Sequence, residues 1–222
     1  MAVNLIDLLK GEFAGALVTR LAAASGQTSE TTHKVIEALV PAVVGALASK
    51  TSTPAGAAEM IRTLQRTGLD GTRFTSAALI FEGSGGVRAL VTMGGPLVSA
   101  IFGERTNAVN NWLASHAGIG TRSSLSLLTL LVPLVGNFVS KHAARNGRFD
   151  ALALASLLTG QSGHLRAAAP PGLAMALGPE DFGRPAIVVE PSGATTGGVG
   201  GTKCHWCWRF LRWRSLGWAS AR

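Results

Sequence analysis

Cys204, His205 and Cys207 fall within four residues, a Cys-x-x-Cys spacing that suits a redox pair or part of a zinc site. A tetrahedral zinc centre needs a fourth ligand and a redox pair needs a strand–helix scaffold, and the surrounding segment offers neither. Gly160-Gln161-Ser162-Gly163-His164 comes near the nucleophile elbow Gly-x-Ser-x-Gly, but His164 stands where the last glycine belongs and the setting is the end of a helix. Glu82-Gly83-Ser84-Gly85-Gly86 lacks the Gly-Lys-Ser/Thr that closes a phosphate loop. Both are read as turns. His33, His116, His142, His164 and His205 are scattered, with no two at the spacing that sets metal ligands on one helix face. Asp7 with Glu12, and Glu30 with Glu37, do not sit close together on one face as paired acid–base carboxylates must. No catalytic residue, cofactor or metal site is nominated, and the expectation is a protein that is not an enzyme.

One cluster is left as a candidate binding site. Trp112 is the only tryptophan before the C-terminal tail, and it follows Asn110 and Asn111. A large ring flanked by amides can anchor a protein partner. Beside Leu113 on an amphipathic helix, such a ring is more often core than anchor.

The elements that must position these residues are helices. Leu5, Leu8, Leu9, Phe13, Leu17 and Leu21 recur every three or four residues, predicting one helix from about Asn4 to Ala24, capped by Asn4 and stopped at Gly26. A second opens at Thr28 or Ser29 and buries Val35, Ile36, Leu39, Val40, Val43 and Leu47, with Pro41 inside it as a bend or a new start. Thr53 caps a third with Pro54 at its first position, and Gly68 ends it.

The same plan returns later. Residues 5–68 align without a gap onto residues 97–160 at an offset of 92, sharing Leu39-Val40-Pro41 with Leu131-Val132-Pro133, Gly26 with Gly118, Gly11 with Gly103, and Thr67-Gly68 with Thr159-Gly160. The second set reads as Val98, Ile101 and Phe102; Val109, Trp112 and Leu113; Leu125 to Val139 around Pro133; and Leu152 to Leu158. No stretch alternates as a strand would. The fold class expected is all-α: two tandem degenerate copies of a three-to-four-helix unit packed as one body over 1–161, joined by a connection at 69–95.

The charge of +8 is concentrated at one end, because residues 202–222 hold five basic side chains and no acidic one. A basic surface attracts nucleic acid only where its charges lie together, so the rest of the chain gives that reading little support. A DNA-binding alternative would need Lys34, Lys50, Arg62 or Arg66 on one face. No secretory signal is read at the start. The apolar stretches at 31–48 and 123–140 are read as buried helices rather than membrane spans, since they carry charged or hydroxyl side chains. Residues 162–201, rich in Pro and Gly, read as a linker with a helical turn at Leu173 to Leu177. Residues 202–222 form a basic, Trp-rich tail.

NLIDLLKGEFAGALVTRLA, ALVPAVVGALASKTSTPAGAAEMIRTL, IFGERTNAVNNWLASHAGI, LLTLLVPLVGNFVSK and LALASLLTGQ with the following APPGLAMALG together resemble the YidB-like bacterial proteins of unknown function, over roughly residues 1–178. The resemblance implies an all-helical body with no established enzymatic activity. In longer relatives it also implies a linker followed by a membrane anchor. CHWCWRFLRWRSLGWASAR departs from that plan. Written in GC-rich codons, its adjacent frame becomes an apolar run, so a frameshift near residues 200–204 is expected; genomic DNA would test it. Peripheral membrane contact through Trp206, Phe210, Trp213 and Arg209 is the tail's own alternative. The function expected is structural: recognition of an unknown protein partner, or self-association, near the cell envelope.

Overall fold

A computed structural model describes residues 4–69, 85–144 and 149–178. Cys204, His205, Cys207, the rest of the tail, residues 179–201 of the expected linker and most of the glycine-rich Glu82–Gly86 run lie outside those residues. Among the described residues the fold is all-helical. In chain order the helices are α1 (Leu5–Glu12), α2 (Ala16–Ser25), α3 (Ser29–Lys50), α4 (Pro54–Arg66), α5 (Gly86–Phe102), α6 (Thr106–Ala117), α7 (Thr121–Ala143), α8 (Ala151–Thr159), α9 (Ser162–Ala168) and α10 (Leu173–Leu177), with one 3₁₀ turn at Gly103–Arg105.

The caps follow from side chains that accept orphan N–H groups of a first turn. Asn4 Oδ1 takes the Ile6 and Asp7 amides, Thr28 Oγ1 the Thr31 amide, Thr53 Oγ1 the Gly56 amide and Asp150 Oδ1 the Ala153 amide. At the other ends Gly26, Gly68 and Gly118 turn left-handed, and the amides of Gln27, Leu69 and Ile119 each reach the carbonyl five residues back. That is the Schellman closure, which only a residue free of a Cβ adopts cheaply.

The single helix expected from Asn4 to Ala24 is broken at Phe13–Gly15, where Gly15 has φ 72° and ψ −125°. Leu8, expected on the buried face, is 42% exposed, while Leu5, Leu9 and Phe13 are buried. Pro41 and Pro133 start no new helix: α3 and α7 run through them, and both prolines are buried. α3 and α7 touch each other and most of the remaining helices, so one apolar core runs through the body. By length and composition α3, α7 and the stretch from Gly86 to Ala117 could each cross a membrane. In α3 and α7, however, 72% of that apolar window is enclosed by the other helices.

Positions 92 apart correspond closely over part of the chain. From Leu17/Val109 to Ile36/Leu128, twenty consecutive pairs share the same state of burial, although only Leu21/Leu113, Ala22/Ala114 and Gly26/Gly118 are identical. Gly26 and Gly118 have φ 67° and ψ 29° against φ 67° and ψ 34°. Burial matches again from Ala38/Leu130 to Gly45/Asn137, but toward both ends the offset fails. Gly11 lies inside α1 while Gly103 has φ 56° and ψ −129°, close to the geometry of Gly15. Gly68 has φ 72° but Gly160 has φ −62°. α4 buries Met60 and Leu64, whereas Leu152, 92 positions after Met60, is 82% exposed and α8 buries Leu154 and Leu158. The burial register of the fourth helix is thus shifted by two residues.

The densest packing is between α5 and α7. Pro133 has no N–H, so the Thr129 carbonyl loses its α-helical donor. Gly94 lies over that carbonyl: a Cβ built there would stand 2.0 Å from Thr129 O. The approach requires glycine.

α9 and α10 fall within the stretch expected as linker, yet both pack on the body through Leu165, Leu173 and Leu177. The turn expected at Leu173 to Leu177 is α10. Gln161, 2% exposed, accepts the Leu5 amide on Oε1 at 2.9 Å and so supplies a cap for α1 from 156 residues away.

Candidate functional site

A half-open cleft of about 620 Å³ lies where the α3–α4 turn faces the α5–α6 junction. Its apolar wall is built from Ala46 of α3, Ile101 and Phe102 of α5, and Leu177 of α10. Its rim carries Lys50 and Glu59 on one side and Glu104 and Arg105 on the other, two charges of each sign. α3 ends at Lys50 and Thr53 starts α4 at once. The turn is tight because Gly56 lies so near the Lys50 carbonyl that a Cβ would stand 2.0 Å from it. The opposite rim exists because Gly103 takes positive φ after Phe102 and starts the 3₁₀ turn.

Leu177 ties the cleft to the expected binding cluster. α10 packs mainly on α6, and Trp112 Nε1 donates to the Pro171 carbonyl at 3.3 Å just before it. Gly172, with φ 82°, lies under the indole edge, and Gly178, with φ 95°, lies against the Arg105 guanidinium. Trp112 also stacks on His116, centroids 5.2 Å apart. Asn110 is buried: its Nδ2 donates to the Thr121 carbonyl, and its backbone carbonyl accepts from Ser124 Oγ. Asn111 alone of the three is exposed. The trio is divided between core, strap and solvent and forms no single outward patch.

The basic residues named for DNA contact are not collected either. Lys34 donates to Glu30 at 2.8 Å, a pairing that holds the Glu30 carboxyl below its usual range through the hydrogen bond first and charge second. Lys50 lies 16 residues further along α3, about 24 Å at the helical rise. Arg62 and Arg66 share a face of α4 with Glu59. Among the described residues no group of three His, Cys, Asp or Glu side chains comes together as metal ligands would. Sequence reasoning missed the cleft and Gln161. The cleft joins residues as distant as Ala46 and Leu177, and a buried glutamine has no periodic signature.

No curated protein and no solved structure matches the chain. One family model does match, over residues 7–142, and it covers α2 to α6 entirely and nearly all of α1 and α7, including most of the cleft wall. The chain therefore belongs to the family described as bacterial protein of unknown function (DUF937).

Proposed function

We propose that the chain is a non-enzymatic helical interaction module that holds a polypeptide segment in the cleft between the α3–α4 turn and the α5–α6 junction. The observation that carries this is the lining: a rim of Lys50, Glu59, Glu104 and Arg105 with Ser49 and Thr53, above a wall of Ala46, Ile101, Phe102 and Leu177 that is at most 6% exposed. Charged and hydroxyl groups at the rim would fix a partner's register, and the small apolar wall would take only a narrow side chain. The body itself is read as a tandem duplication. Its support is the run of twenty pairs with matching burial, which exceeds what three identities would explain. The YidB-like resemblance adds an envelope setting, with a membrane anchor in longer relatives.

The test is a crosslinking pull-down from the native bacterium with the full chain against a Lys50→Glu, Glu59→Lys double variant. This variant keeps the net charge and leaves Arg105 in place. A partner recovered reproducibly with the parent and lost with the variant supports the reading. Recovery of the same background proteins by both sinks it.

A further inference from the structure

We propose that residues 169–178 are an exchangeable strap: the seat on α6 and α3 that holds them takes the same segment from a second copy of the chain, linking two copies by reciprocal exchange. This deepens the interaction reading by naming one partner, and it rests on that reading.

The seat is fitted to this segment. Leu173 and Leu177, four apart on α10, are 0% and 3% exposed. The Pro171 carbonyl is held by Trp112, and two left-handed glycines let the backbone lie against Trp112 and Arg105. The hold is nevertheless thin. α10 has five residues, far short of a helix that persists alone, and Met175 is 86% exposed on its outer side. Release therefore removes little more than two leucines and one indole hydrogen bond from the body.

The hinge favours carrying the strap away. α9 ends at Ala168, Ala169 is extended with φ −70° and ψ 121°, and Pro170 and Pro171 follow. A residue before proline prefers the extended region, and each proline fixes its own φ. An open hinge thus needs no strained backbone. The seat residues Arg105 and Trp112 lie inside the span matched to the family, whereas the strap lies beyond its end at residue 142. Seat and strap are separable in sequence, and exchange of an identical element is a low-cost route to a dimer.

The test mixes full-length chain grown with photo-leucine and full-length chain labelled with ¹⁵N, then maps crosslinks by mass. The expected result is a dimer whose fraction rises with concentration in sedimentation, with crosslinks joining residues 169–178 of one isotopic form to α6 of the other. A Leu173→Asp, Leu177→Asp variant is expected to lose the dimer while keeping the helical signal. A chain that stays monomeric at all concentrations, or a dimer whose strap-to-seat crosslinks are all within one isotopic form, would overturn the proposal. If a monomeric chain still captures a cellular partner at the cleft, exchange fails while the broader reading stands.

Discussion

Gly94 and Gly95 are adjacent in one helix, and the fold assigns them opposite responses to the same substitution. An alanine is worth about 0.5–1 kcal/mol over glycine in a helix interior, because glycine loses more backbone freedom on folding. At Gly95 the added methyl meets nothing within 4 Å, so Gly95→Ala is expected to gain that amount. At Gly94 the methyl would stand 2.0 Å from the Thr129 carbonyl oxygen and 2.7 Å from Thr129 Cγ2. Ordinary contact is roughly 3.5 Å, so α5 and α7 would have to part by over an ångström at their tightest crossing. Overpacking of this kind costs about 1–3 kcal/mol and more where backbone must move. With the propensity gain subtracted, Gly94→Ala is expected to lose about 2 kcal/mol. At roughly 2–4 °C per kcal/mol for a body of this size, Tm falls by about 4–8 °C for Gly94→Ala and rises by about 1–4 °C for Gly95→Ala. Thermal unfolding followed by circular dichroism reads both. If Gly94→Ala were as stable as the parent, or both variants moved the same way, the close approach of α5 to the carbonyl freed by Pro133 would be wrong.

Gln161→Leu keeps the volume but leaves the buried Leu5 amide without its acceptor, a loss of about 1–3 kcal/mol; urea unfolding with an unchanged midpoint would contradict that cap. Trp112→Phe keeps a ring beside His116 and removes the donor to Pro171. It is expected to speed hydrogen exchange at residues 172–178 while the protection of α3 and α7 stays put, and equal acceleration throughout would show that the strap opens only with the body. Glu30 titrates below its ordinary value because Lys34 donates to it, so the pair's contribution is present above the unfolded carboxylate pKa and fades as pH falls through the lower folded value. Carbon-detected NMR titration should show the Glu30 midpoint rising in Lys34→Ala, and a midpoint that ignores the lysine would refute the pairing.

Most of the helix boundaries were legible because their signals are local. Asn4, Thr28 and Thr53 cap the helices they were expected to cap, and Gly26 and Gly68 close theirs. The break at Gly15 was hidden because Phe13 and Leu17 keep the four-residue spacing across it, so periodicity continued where the backbone turned. The shared Gly11/Gly103 and Thr67-Gly68/Thr159-Gly160 pairs misled for a related reason: identity does not record φ, and these glycines have different conformations. Residues 162–178 looked like linker because Pro170, Pro171 and three glycines interrupt them and the stretch beyond is richer still in Pro and Gly. Their three buried leucines are too few to give a pattern, and what holds them lies on α6 and α1, more than 50 residues earlier. The cleft was illegible on the same ground, since it exists only where the end of α3 meets the end of α5. Trp112 lies on the helix its spacing with Val109 and Leu113 predicts, but its hydrogen bond to Pro171, 59 residues later, has no local signal.

Residue-level photocrosslinking in the native bacterium can show whether a polypeptide is held in the cleft. A photoreactive residue at Glu59, on the rim, is compared with one at Arg122, at the far end of the body beside the Gln27–Ser123 contact. A discrete crosslinked protein, the same chain or another, is expected from position 59 and none from position 122. Equal labelling of the same proteins from both positions would contradict it.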